Sequence, residues 1–208
     1  DYVVLFYYHN VDVGVATAIV LGAGYYDGEQ DVEFNIVKKS SALTFSAKLS
    51  KTTYIYTGKA IKPAVSVTVN RKKLKSSYYK LTYKNNKNAG VATVRVKGTG
   101  KDSGLNKNLS IKILPPKTSL TKVRGSNKAF TAVWKKNLQA SGYQIQYATN
   151  SKFTSGRKLV TIRKPSAVIQ KITGLKSKKT YYVRVRAYKK VGKTVLYGSW
   201  STVKKVKA

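Results

Sequence analysis

The sequence predicts an all-β protein of stacked β-sandwiches. Three observations carry this: period-two alternation of apolar and polar residues, turn formers spaced between the alternating runs, and an internal repeat. Alternation runs through Val65-Ser66-Val67-Thr68-Val69, Ala92-Thr93-Val94-Arg95-Val96, Tyr143-Gln144-Ile145-Gln146-Tyr147 and Val183-Arg184-Val185-Arg186-Ala187. In a strand this places one set of side chains in a core and the other in water. Asn85-Asn86, Lys97-Gly98-Thr99-Gly100 and Thr173-Gly174 lie between such runs, at the spacing of sandwich turns. No segment carries a helical period. A chain of 208 residues has room for two sandwiches of roughly 100 residues each, with a partial unit beside them.

The repeat is direct. Residues 2–28 match residues 78–104 at a constant offset of 76, with Tyr2 meeting Tyr78, Tyr7 meeting Tyr83, Asn10 meeting Asn86, and Gly14-Val15-Ala16-Thr17 meeting Gly90-Val91-Ala92-Thr93. Gly22, Gly24 and Gly28 likewise meet Gly98, Gly100 and Gly104, and one inserted residue aligns Phe34-Asn35-Ile36 with Ile111-Lys112-Ile113. The second copy is preceded by Tyr54-Ile55-Tyr56-Thr57-Gly58-Lys59-Ala60-Ile61-Lys62-Pro63, which has no counterpart before the first. Residues 1–39 therefore read as the C-terminal half of a repeat and residues 40–116 as a complete one. With no methionine and with Asp1 entering a strand, the chain reads as a fragment, and its first half-repeat is expected to pack on the next repeat or to be completed by a second copy or by further sequence. The Tyr-Thr-Gly-Lys-Ala-Ile-Lys-Pro opening, the Tyr-Lys-Asn-Asn-Lys-Asn-Ala-Gly-Val-Ala-Thr hairpin and the Gly-x-Gly exit resemble the small bacterial immunoglobulin-like repeats found in tandem on large surface proteins of gut Firmicutes.

Leu114-Pro115-Pro116-Lys117 reads as a stiff connection, because consecutive prolines keep the chain extended and offer no N–H to a ladder. Residues 117–208 then resemble a fibronectin type III domain. Phe130-Thr131-Ala132-Val133-Trp134 is similar to its second strand with the core tryptophan, and Leu175 followed by Tyr181 resembles its tyrosine corner. The resemblance gives Trp134, Leu175 and Tyr181 structural roles. Tyr197-Gly198-Ser199-Trp200-Ser201 is similar to the Trp-Ser motif of cytokine-receptor domains of this type. Arg184 and Arg186 share a strand face, so Trp200 is expected to stack on their guanidinium planes, again for stability.

Charge is the remaining functional signal. Lys and Arg number 41 against 7 Asp and Glu, for a net charge of +34. Six of the acids, Asp1, Asp12, Asp27, Glu29, Asp31 and Glu33, precede the first basic residue, Lys38; residues 1–33 thus carry about −6 and residues 34–208 about +40, with Asp102 the sole acid there. A solvated surface needs far less charge than this. The lysine clusters Lys72-Lys73, Lys135-Lys136, Lys178-Lys179 and Lys189-Lys190 are the candidate polyanion-binding residues. Dispersed lysines act by counterion release and avidity, without base-reading geometry, so no specific nucleic acid is expected. Outside a Gram-positive cell the matching polymer is teichoic or lipoteichoic acid. The competing explanation is that the charge is only a solvated surface, or pairs with acidic repeats upstream, as the acidic residues 1–33 hint.

Tyr25 and Tyr26, following Gly22-Ala23-Gly24, are the candidate carbohydrate-stacking pair, although neighbours on a strand point to opposite faces. No catalytic residue is assigned: residues 34–208 hold one carboxylate, no histidine and no cysteine, too few for paired-carboxylate or triad chemistry. His9 with Asp12 reads as a hairpin pair. Neither a cofactor nor a metal site is expected, since the chain has no cysteine and one histidine. Asp102, in a glycine-flanked turn, is poorly placed to catalyse an internal Lys–Asn crosslink. No stretch approaches the roughly 18 apolar residues of a membrane span. The expectation is a non-catalytic spacer or attachment array of a secreted or cell-surface Gram-positive protein. A carbohydrate- or host-protein-binding adhesin module is the alternative, and any enzyme activity would belong to domains upstream.

Overall fold

The structure, a computed structural model, describes residues 1–25, 27–37 and 44–208. It divides into two compact units, Asp1–Leu43 and Thr44–Ala208. Every extended element is a β-strand, and among the described residues no helix is long and apolar enough to cross a membrane.

The first unit is a three-stranded antiparallel sheet of β1 (Tyr2–Tyr8), β2 (Gly14–Gly22) and β3 (Glu29–Ile36), with β2 in the middle. Central position decides burial: Ala16, Ala18 and Ile19 of β2 are buried, whereas β1 is exposed along its whole length. A β-bulge between Val4 and Phe6 shifts the β1–β2 register.

In the second unit, residues 45–114 form one pair of sheets. β4 (Phe45–Leu49), β6 (Val65–Val69) and β7 (Lys72–Lys73) make the smaller sheet. β5 (Thr53–Ile55), β8 (Tyr79–Lys84), β9 (Gly90–Gly98) and β10 (Asn106–Leu114) make the larger, in the order β5-β10-β9-β8, with β5 parallel to β10. Asn70 and Arg71, at φ 50° and 64°, form the two-residue connection between the paired Val69 and Lys72. Positive φ at both central residues is what a type I′ hairpin turn requires. The internal repeat is visible strand by strand: β2 and β9 occupy the same nine positions at an offset of 76. Backbone sign follows it, His9 and Asn85 at φ 52° and 60°, Gly14 and Gly90 at 149° and 151°. In the second copy Ala92, Val94, Val96, Ile111 and Ile113 are fully buried, with Val65 and Val67 of β6 and Ile61 of the connecting loop packed in the same clusters. Among the described residues the first unit has one sheet only, which is why its β1 remains exposed.

Residues 120–207 form the other sandwich. Its three-stranded sheet is β11 (Leu120–Ser126), β12 (Ala129–Trp134) and β15 (Ile169–Ile172). Facing it are β13 (Gly142–Ala148), β14 (Lys158–Ile162), β16 (Thr180–Val191), β17 (Thr194–Tyr197) and β18 (Lys204–Lys207), in the order β14-β13-β16 with β17 and β18 sharing the far edge of β16. The core is aromatic: Phe130, Trp134 and Tyr143 are buried with Ile145, Val183 and Val185, and the Trp134 and Tyr143 rings lie 5.3 Å apart. Tyr181, also buried, accepts the Lys176 N–H at 3.0 Å through its Oη, while Leu175 packs in the same cluster. Pro115 of the connecting segment is itself fully buried. Ala89 N donates to Gln139 Oε1 at 2.9 Å, tying the two pairs of sheets together.

Candidate polyanion-binding face

The far edge of β16 is paired in two pieces, and the gap between them builds the site. β17 pairs Tyr188–Val191 and β18 pairs Thr180–Val183. Across the intervening stretch Gly198 N donates to Ala187 O and Ser201 N to Val185 O, so the ladder continues irregularly. Ser201 Oγ supplies what the backbone lacks, accepting Val185 N–H at 3.0 Å and donating to Thr202 O at 2.9 Å. Gly198 is required here: a Cβ would lie 2.8 Å from Pro115 O. This detour swings Trp200 over the outer face of the sheet.

On that face, register pairs Gln144 with Arg186 and Gln146 with Arg184. Each arginine presents its fork to the opposite amide: Arg184 Nε reaches Gln146 Oε1 at 2.8 Å and Arg186 Nε reaches Gln144 Oε1 at 3.0 Å, with the Nη2 of each on the same oxygen. Gln144 Nε2 donates in turn to Thr161 Oγ1 at 3.3 Å. The guanidinium planes are layered between rings. Arg184 Cζ lies 4.1 Å from the Phe153 centroid and 4.8 Å from Trp200; Arg186 Cζ lies 4.3 Å from Trp200 and 4.0 Å from Tyr197. Phe153, Arg184, Trp200, Arg186 and Tyr197 thus form one cation–π ladder. Burial, and then repulsion from Arg157, holds the Arg184 pKa below the usual guanidinium value. Burial lowers that of Arg186, partly opposed by the Tyr197 phenol.

Two hollows flank the ladder. One, of about 390 Å³, is lined by Gln146, Arg157, Leu159, Arg184, Arg186 and Trp200. The other, of about 380 Å³, is lined by residues including Gln144, Thr161, Arg163, Tyr188, Lys190 and Tyr197. The Arg186–Gln144 pair joins them, because Arg186 lines the first and Gln144 the second. Four of the chain's seven arginines meet on this face. Asp102, the only acid of residues 34–208, lies elsewhere, in the short 3₁₀ turn Gly100–Asp102, where its buried Oδ2 has no hydrogen-bond partner among the described residues.

The lysines singled out from sequence are scattered by comparison. Lys72 and Lys73 form the exposed edge strand β7; Lys135 and Lys136 are exposed after β12; Lys178, at φ 58°, and Lys179 occupy the turn before β16. Lys189 and Lys190 are adjacent on β16, and Lys190 alone of the eight lines the arginine face. Lys179 borders a different hollow with Lys158, Lys176, Tyr147 and Tyr181. Tyr25 is fully exposed; Tyr26 lies outside the described residues. Arg157, Arg163, Gln144 and Gln146 sit in no motif that marks them as site residues in the sequence. The available signal was compositional, four arginines within residues 157–186 of a chain otherwise supplied with lysine.

Strand order and register place the C-terminal sandwich in the fibronectin type III-like class, three strands facing a sheet of four with a divided edge. No family model matches the chain, and no curated protein matches it. Among solved structures the chain is similar to a myokine structure at 16% identity, covering 45% of this chain and 97% of that one with a TM-score of 0.37. It is similar to an FN3 domain of human collagen XX at 16% identity, covering 43% and 90% with a TM-score of 0.34. It is also similar to the FN1–FN3 domains of chicken CNTN1 at 14% identity, covering 93% and 77% with a TM-score of 0.40. At these scores the likenesses add nothing to the strand order and register.

Proposed function

We propose that the chain is a non-catalytic array of spacer and attachment modules whose basic surface holds it to an anionic polymer, the teichoic or lipoteichoic acid of a Gram-positive envelope. Its modules span residues 1–39, 40–116 and 117–208. The observation that supports this reading is the outer face of β14, β13, β16 and β17, where Arg157, Arg163, Arg184, Arg186 and Lys190 line adjoining hollows in a sandwich without a carboxylate. A cationic surface of this kind gains affinity by releasing the polymer's counterions, and that gain falls as salt rises.

The rival reading, stacking on neutral sugars, is favoured only by the exposure of Tyr25. The larger aromatic faces at the site, Trp200 and Tyr197, already carry guanidinium groups, which leaves less flat surface for a pyranose. The test is sedimentation of the chain with purified Gram-positive walls. Binding is expected to weaken steeply between low and physiological salt and to vanish from walls stripped of teichoic acid; undiminished binding to stripped walls would refute the reading.

A further inference from the structure

Three guanidinium groups converge at one end of the outer face, with no Asp or Glu lining their hollow among the described residues. Arg184 and Arg186 each direct Nε and Nη2 at a glutamine oxygen, and a guanidinium carries five N–H donors. Their flat faces are taken by Phe153, Trp200 and Tyr197, so the remaining donors lie along the edges of the planes. Arg157 is exposed and lines the same hollow of about 390 Å³. Repulsion between Arg157 and Arg184 is part of what lowers the proton affinity of Arg184. An anion entering the hollow relieves that repulsion and meets Arg184 and Arg186 donors already held in place by the ladder and the glutamines, so only the Arg157 side chain is left to be ordered on binding. Edge-on guanidinium forks match pairs of oxygens on a tetrahedral oxyanion, a geometry lysine does not offer.

We propose that this hollow binds one tetrahedral oxyanion ester, a phosphate or sulfate group of an extended polymer, on the edges of Arg157, Arg184 and Arg186. This specification rests on the polyanion reading above. The neighbouring hollow, reached across the Arg186–Gln144 pair and lined by Arg163 and Lys190, takes the next group along the polymer.

The test uses the full chain at constant ionic strength, titrated with inorganic phosphate against sodium chloride. The readout is indole emission, since Trp200 borders the hollow whereas Trp134 is sealed in the core. Arg157 is exposed and outside the ladder, so its variants are expected to fold. Arg157→Gln is expected to weaken phosphate binding about tenfold or more, the worth of one charge-assisted contact, and Arg157→Lys to weaken it measurably at unchanged net charge. Lys135→Gln, which removes a charge elsewhere, is expected to leave it within about twofold, as screening of a distant charge implies. Equal losses for Arg157→Gln and Lys135→Gln, or no saturable phosphate binding, would overturn this inference and leave salt-sensitive wall binding intact. Loss of salt sensitivity in wall binding would instead overturn the broader reading. Displacement of bound phosphate by poly(glycerol phosphate) alone assigns the site to phosphodiesters, and by dextran sulfate alone to sulfate esters. Displacement by neither overturns the proposal.

Discussion

Replacing Trp200 with alanine removes the central rung of the ladder while leaving each arginine one ring, Phe153 for Arg184 and Tyr197 for Arg186. Trp200 is outside the buried core cluster, so the loss is confined to the outer face. Two cation–π contacts between partly desolvated groups contribute about 1 kcal/mol each. The indole's remaining apolar contact with the sheet adds about 1 kcal/mol. The sum, about 3 kcal/mol, corresponds to a Tm lowered by about 6–12 °C in a unit of this size. Urea unfolding monitored by circular dichroism measures it, and a double-mutant cycle with Arg186→Gln separates the ring–guanidinium coupling from packing. A loss below about 0.5 kcal/mol, or a cycle with no coupling, would refute the ladder as a stabilising element, since surface changes without a specific role fall in that range.

Tyr181→Phe leaves the Lys176 N–H without the phenol that accepts it; chemical denaturation should show a loss of about 1–3 kcal/mol. Gly198→Ala brings a methyl to 2.8 Å from Pro115 O and 3.1 Å from Pro116 O; the connecting segment must shift, and a loss of about 1–3 kcal/mol is expected in the same assay. Burial raises the pKa of Tyr83 and of Tyr147, with smaller contributions from Tyr79 and Tyr181 respectively. The folded protein then holds these phenolic protons more tightly than the unfolded chain, so their contribution is intact below the ordinary phenol value of about 10 and is lost as pH rises through the folded values. Unfolding titrations from pH 9 to 11 should show the wild type losing stability relative to a Tyr83→Phe, Tyr147→Phe variant, a comparison in which lysine titration cancels.

Strand alternation was legible because sandwich strands bury one face and wet the other. Val183 and Val185 turn inward and Arg184 and Arg186 outward, as the sequence pattern requires. The repeat was legible in finer detail, since glycines at positive φ tie the turns of both copies to fixed positions. The arginine face was legible only in part. Arg184 and Arg186 announce themselves by spacing, but Arg157 and Arg163 reach the same surface through the β13–β14 register, in which Gln146 faces Leu159 and Gln144 faces Thr161. The loop between Ala148 and Lys158 sets that register, and a slip of one residue would turn Leu159 and Thr161 inward. That loop is held by the Asn150 side chain, which bonds Thr154 and Ser155, and by positive φ at Phe153 and Gly156, features that strand alternation does not announce. The divided edge of β16 was equally hidden, because it depends on Ser201 Oγ standing in for a backbone acceptor. Runs of lysine drew the eye for the opposite reason: they are conspicuous in sequence and dispersed in space.

The outer-face ladder is tested most directly by the arginine Nε–H region of a ¹⁵N-correlated NMR spectrum. Arg184 and Arg186 should appear as two resolved, slowly exchanging signals, shifted by the ring currents of Phe153, Trp200 and Tyr197, and both should return toward the unstructured position in Trp200→Ala. Seven overlapped signals at the unstructured position, unaffected by that substitution, would contradict it.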